Sequence, residues 1–151
     1  LVYNSGGYEA VETLRLLDGI IDIYMPDMKF ADSAVAKRLA HAPDYWEVCR
    51  AAVKEMHRQV GDLVLDDRGL AVRGLLVRHL VMPNNLAGTR EVMRFLAEKV
   101  SVNTYVNIMA QYRPEGRAWD FPEIARRCTS EEYRQAVAWA KEAGLHRFCR
   151  E

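Results

Sequence analysis

The sequence predicts an α/β protein in which parallel strands are wrapped by helices, as a barrel or as an open doubly wound sheet. Three observations carry the prediction. Short apolar runs alternate with amphipathic stretches in the order strand, helix, strand, helix. The run behind Gly19 is nearly continuous in its apolar content, as expected of a strand covered on both faces. Polar or charged residues gather where the runs end, and both architectures place ligands at the carboxyl ends of their strands.

In chain order, "LVYNSGG" reads as the end of a strand running into a turn of small residues. Because it opens on Leu1 rather than Met, we expect a longer protein from which this stretch is taken. "YEAVETLRLLDG" places Val11, Leu14, Leu16 and Leu17 at helical spacing, with Gly19 as a stop. "GIIDIYMPDMKF" follows as the second strand. "DSAVAKRLAH" and "DYWEVCRAAVKEMHRQVG" are two helices, the second with Asp44 as cap, Glu47 three residues on and Gly61 as its close. "DLVLDDRGLAVRG" has two apolar pieces around Asp67, Arg68 and Gly69 and predicts a hairpin. "LLVRHLVMP" is a buried strand stopped by Pro83. "TREVMRFLAEKVS" is a helix and "NTYVNIMAQYRP" a strand ended by Pro114. "TSEEYRQAVAWAKEAGL" is a last helix with Thr129 or Ser130 as cap and Gly144 as stop.

Half of the 151 residues are hydrophobic, enough for one compact domain with a core. Twenty-one basic residues balance twenty-one acidic ones, so no global field draws the chain to nucleic acid or an anionic membrane. No apolar run reaches the roughly 18 residues of a bilayer span, and no signal-peptide layout opens the chain. A soluble cytoplasmic protein is expected. Cys49, Cys128 and Cys149 are odd in number and far apart, which fits reduced structural thiols rather than disulfides or a CxxC metal site.

The strand ends hold the candidate chemistry. The first carries Asn4, Ser5, Gly6 and Gly7; the second Asp27 and Lys29; the third Arg78, His79, Pro83 and Asn84; the fourth Asn107, Gln111, Tyr112 and Arg113. Asp27 and Lys29 are two apart and face the same side of an extended segment, so the carboxylate can hold an ammonium that meets an anionic ligand. A strand-end ion pair of little energetic value is the competing reading. If Arg78 faces a barrel interior, His79 must face the helices as a hydrogen-bonded core histidine. His41, His57 and His146 read as surface groups, too far apart for a metal site. Trp46, Trp119 and Trp139 are expected over core or domain edges. The arginines of "RPEGRAWDFPEIARR" read as a solvated mixed-charge face.

"VYNSGGY", "LLDGIIDIYMPDMKFAD", "APDYWEVCRAAVKEMHRQVGDL", "RGLLVRHLVMPNN" and "TYVNIMAQYRP" together resemble the later half of radical S-adenosylmethionine proteins related to pyruvate formate-lyase activating enzyme. The blocks "DIYMPDMK" and "LVRHLVMP" are the specific ones. The resemblance implies the C-terminal half of a (βα)6 partial TIM barrel over 1–117, with a C-terminal helical extension over 118–151. It implies S-adenosylmethionine and a 4Fe-4S cluster at the strand ends of the intact protein. Asn4 and Ser5 would meet the ribose or amino acid part of the cofactor, Lys29 of Asp27-x-Lys29 its carboxylate, and Arg78 the same anion-binding wall. Gln111 falls where activating enzymes usually bring a histidine, a departure that weighs against carrying over the substrate of pyruvate formate-lyase activation.

A larger departure concerns the cluster. Its three thiolates come from one CxxxCxxC loop, and Cys49, Cys128 and Cys149 have no such spacing. The chain is therefore expected to be the cluster-less C-terminal part of a radical enzyme, inactive by itself. In the intact protein a 5'-deoxyadenosyl radical would abstract hydrogen from a substrate or a glycyl radical enzyme partner. Two other classes fit the residues: an aldolase-like barrel with Lys29 as Schiff base, and a non-catalytic half-barrel module. An open parallel sheet exposes an unpaired edge, so a dimer or higher oligomer is expected.

Overall fold

The computed structural model describes residues 1–148; Cys149, expected as a structural thiol, lies outside them. The chain is α/β, built on a six-stranded sheet. The strands are β1 (Val2–Ser5), β2 (Ile23–Pro26), β3 (Val64–Leu65), β4 (Ala71–Leu80), β5 (Tyr105–Met109) and β6 (Arg147–Phe148). The helices are α1 (Val11–Arg15), α2 (Ser33–Ala40), α3 (Tyr45–Val60), α4 (Thr89–Lys99) and α5 (Ser130–Glu142). Short 3-10 turns lie at Pro83–Asn85 and Gly116–Asp120. Five strands run parallel in the order β1-β2-β4-β5-β6, and β3 pairs antiparallel with β4 as the predicted hairpin.

The two faces of the sheet differ. Tyr24, Leu75, Val77, His79, Val106 and Ile108 are all buried. Helices cover this side: Tyr24 donates its hydroxyl hydrogen to Gln59 of α3 at 2.7 Å, and His79 meets Thr89 of α4 at 2.9 Å. On the other face Met25, Asp27, Leu76, Arg78, Leu80, Tyr105, Asn107 and Met109 are only half-buried. On the second strand the side that carries Met25 is covered at Ile23, which is buried, and only partly at Met25.

Where β4 enters the sheet the backbone passes close to the end of α3. Gly74 has φ +116°, and a Cβ there would come within 2.3 Å of the Asp62 carbonyl oxygen. Only glycine allows that approach.

The helices follow their signals with two exceptions. α1 is a five-residue turn rather than the full stretch to Gly19, and only Leu14 is buried; Leu16 stays 78 % exposed. The capping box expected at α3 does not form. Asp44 accepts from the hydroxyl of Tyr8, and Glu47 from Ser33 Oγ at 2.6 Å, so both carboxylates are taken by other segments. At α5 the box is complete: Thr129 Oγ1 accepts from Glu132 N at 3.1 Å and Glu132 accepts from Thr129 N at 2.7 Å. Beyond α5 the chain rejoins the sheet as β6, a strand that no apolar run announced. Trp46 packs edge-on against Phe95 and Trp139 lines a cavity beside α4, whereas Trp119 is 62 % exposed and covers no core. His41 and His146 are exposed, while His57 is part-buried and sits 2.9 Å from Asp62. No helix among the described residues is long and apolar enough to cross a membrane.

Candidate functional site

Parallel register brings Asp27 of the β2 end level with Arg78 of β4, and Arg78 level with Asn107 of β5. Residues level with one another across a sheet share a face, so these three form one polar tier on the open side. Arg78 turns Nε and Nη2 to Asp27 Oδ1, both at 2.7 Å. Lys29 Nζ stands 3.7 Å from Asp27 Oδ2, beyond hydrogen-bond length. The arginine therefore holds the carboxylate, and the lysine keeps a half-exposed ammonium. The carboxylate-to-lysine pairing expected from the two-residue spacing is the weaker of the two contacts.

Above this tier the strand ends enclose a cleft of about 380 Å³, lined by Asp27, Lys29, Arg78, Leu80, Met109 and the Gln111–Arg113 segment. Its volume falls within the range of small-molecule sites. Its floor is apolar, from Leu80 and Met109, which are level neighbours on β4 and β5. Three cationic side chains line it against one carboxylate. Arg113 is held by Glu115 at 2.9 Å, and both of these side chains are largely exposed.

The predicted residues divide four ways. Asp27, Lys29, Arg78 and Gln111 line one cleft. Asn4 is exposed and level with Met25, on the same open face but one tier further from the strand ends. Ser5 is level with buried Pro26, so its side chain belongs to the opposite face; its Oγ accepts from Gly7 N at 3.2 Å. Asn84, counted among the strand-end groups, is taken up by the C-terminal segment. Its backbone N–H donates to Glu132 and its side-chain amide to the Glu123 carbonyl, each at 2.7 Å, while Arg126 reaches its Oδ1 at 3.1 Å.

Behind the cleft, His79 is the core histidine expected. Its Nδ1–H donates to the Met28 carbonyl at 2.7 Å and its Nε2 accepts from Thr89 Oγ1 at 2.9 Å. Complete burial lowers its pKa to about 4, so the ring is neutral near pH 7. Cys49 lies under the turn after β2 with its thiol toward the Asp27 carbonyl at 3.7 Å, and burial pushes its pKa up to about 12. Cys128 points at the Ala110 carbonyl at 3.1 Å, with a pKa also raised by burial. Both thiols are protonated, already partnered and remote in sequence. Among the described residues no group of three or more His, Cys, Asp or Glu could hold a metal ion. A 4Fe-4S cluster does not fit this set, whereas a ligand carboxylate fits Lys29.

Sequence reasoning missed Tyr45, whose hydroxyl lies against the backbone of both strand ends at the cleft. It reads as the first apolar residue of a helix, and nothing in its spacing marks it. The inward set Asn107, Met109 and Gln111 does show the two-residue spacing of a strand, and that pattern could have placed Met109 on the floor.

No family model matches the chain. Over 146 residues, 96 % of its own length, the chain is 34 % identical to an uncharacterized protein of Methanocaldococcus jannaschii, and it spans 39 % of that relative's length.

Proposed function

We propose that this chain is the C-terminal half of a radical S-adenosylmethionine protein of the activating-enzyme type, a (βα)6 partial barrel whose inner face is the open face of this sheet. The observation that carries the reading is the half-exposed ammonium of Lys29, whose contact among the described residues is the long 3.7 Å one to Asp27, set beside the close Asp27–Arg78 pair at the carboxyl ends of parallel strands. Lys29 would receive the carboxylate of S-adenosylmethionine, with Arg78 holding Asp27 in place. Gln111 would border the same ligand, and Asn4 would meet it from β1. Ser5 contributes through the turn it caps rather than by facing the cleft. Leu80 and Met109 supply an apolar bed that excludes water from one side of the ligand.

In the whole protein a cluster held by residues outside this chain would supply one electron to S-adenosylmethionine, giving methionine and a 5'-deoxyadenosyl radical that would take hydrogen from a substrate or a glycyl radical enzyme. The cluster thiolates would come from outside this chain, which by itself binds the cofactor without cleaving it. The aldolase reading asks for a lysine desolvated by burial, and Lys29 is half-exposed. The open face and the free edge of β1 favour self-association of the isolated half-barrel, so a strictly monomeric species by light scattering would remove that part of the proposal.

Titration calorimetry of the 151-residue chain with S-adenosylmethionine tests the reading. Saturable binding is expected, shared by S-adenosylhomocysteine because it carries the same carboxylate, and weakened about tenfold by Lys29→Gln. Absence of binding, or binding indifferent to Lys29→Gln, would overturn it.

A further inference from the structure

Tyr45 opens α3 and is 4 % exposed, between the ring of Tyr8 at 5.8 Å and that of Phe30 at 5.9 Å. Its hydroxyl accepts the Lys29 backbone N–H at 2.9 Å. The same oxygen lies 2.8 Å from the Gly6 carbonyl and 3.0 Å from the Asp27 carbonyl, so its single O–H is shared between the two. One phenol thus ties together the turn after β1 and the turn after β2. The junction is close on its other side too. Gly7 has φ +74°, and a Cβ there would lie 2.3 Å from the Asp27 carbonyl oxygen and 2.9 Å from Cys49 Sγ. Asp27 and Lys29 are therefore fixed through their backbone, by a residue that does not line the cleft.

We infer that Tyr45 is the positioning residue of this site: its phenol sets the backbone of residues 27–29 so that the carboxylate meets Arg78 and the Lys29 ammonium is presented to an anionic ligand. The inference rests on the reading of Lys29 as an anion receptor. Nothing else donates to the Asp27 carbonyl with an O–H or accepts from the Lys29 N–H among the described residues. Without the hydroxyl the Asp27 carbonyl keeps only the long contact from the Cys49 thiol, and the part-buried Lys29 N–H must turn toward water, so the turn moves with it.

The test compares Tyr45→Phe with Tyr24→Phe, which removes an equally buried hydroxyl from Gln59, away from the cleft. In Tyr45→Phe the Lys29 amide is expected to exchange with solvent at least tenfold faster, while the Leu75 amide keeps its protection. The affinity for S-adenosylmethionine is expected to fall at least fivefold, and to be unchanged in Tyr24→Phe at matched loss of stability. Unchanged protection of Lys29, or equal loss of affinity in both variants, would overturn the inference. Faster exchange in a chain whose wild-type form binds no S-adenosylmethionine would remove the cofactor reading and leave the role of Tyr45 standing. If Tyr45→Phe does not fold, tyrosine fluorinated beside its hydroxyl at position 45 weakens the oxygen as an acceptor, and the Lys29 amide should again exchange faster; no change there would count against Tyr45.

Discussion

Leu75 and Leu76 are neighbours on β4, yet the first is fully buried under the helices and the second is half-buried on the open face. The same alternation sets His79 against Arg78 and Ile108 against Asn107. On the helix side Leu75, Val77, Val106 and Ile108 are apolar, and the polar groups of Ser5, Tyr24 and His79 are hydrogen-bonded. On the open side apolar Met25, Leu76 and Met109 mix with Asp27, Arg78 and Asn107 in tiers. One face is built for packing; the other pairs Arg78 closely with Asp27 and leaves the Lys29 ammonium, among the described residues, with a long contact to the same carboxylate.

That contrast can be broken most sharply at β4. Leu75→Ala is expected to destabilise the fold by about 3 kcal/mol, through lost burial and a residual cavity. Leu76→Ala should lower stability by less than about 1 kcal/mol, since its side chain is already partly in water. Denaturant midpoints of the two variants decide this, and equal losses would mean that the open face is packed as tightly as the helix side.

Acid should attack the helix side next. The His79 pKa of about 4 in the folded chain lies below the ordinary 6.5. The unfolded chain therefore takes up a proton first as the pH falls, and stability drops with falling pH below 6.5. Between pH 6.5 and about 5 the loss is about 2 kcal/mol, at roughly 1.4 kcal/mol per pH unit. Glu132 has a pKa held down to about 2 by Arg126, and it gives up its contribution only below its ordinary 4.5. Unfolding measured across this window should show the slope in the wild-type chain and not in His79→Gln.

The smallest effect is expected on the open side. Lys29→Gln should change stability by no more than about 0.5 kcal/mol, because its one ion pair is long and half-exposed. The same substitution tests the anion site, so stability and binding separate at this residue.

Much of this contrast is legible in the amino-acid pattern. Continuous apolar runs mark the strands and their parallel arrangement, and the three-residue step from Thr129 to Glu132 marks the box at α5. The same step from Asp44 to Glu47 misleads, because Tyr8 and Ser33, distant in sequence, take the two carboxylates. Adjacent Arg78 and His79 have to face opposite sides, and they do. Their partners are not legible: Asp27 meets Arg78 across 51 residues through the parallel register of β2 and β4, which no local pattern encodes. β6 is two residues long, too short for a periodicity, and Tyr45 acts through backbone groups that carry no sequence label.

The last strand has a consequence for how the chain comes together. Arg147 donates from Nη2 to the Leu63 carbonyl at 2.7 Å, closing a span of 84 residues, and β6 extends the sheet beyond β5. During synthesis the hairpin and the inner strands can assemble while the far side of β5 is still unpaired. Until Arg147 leaves the ribosome, that side is an open edge able to capture a neighbouring nascent chain. β6 is made after every strand it joins, so its docking on β5 is expected to be a late event in folding.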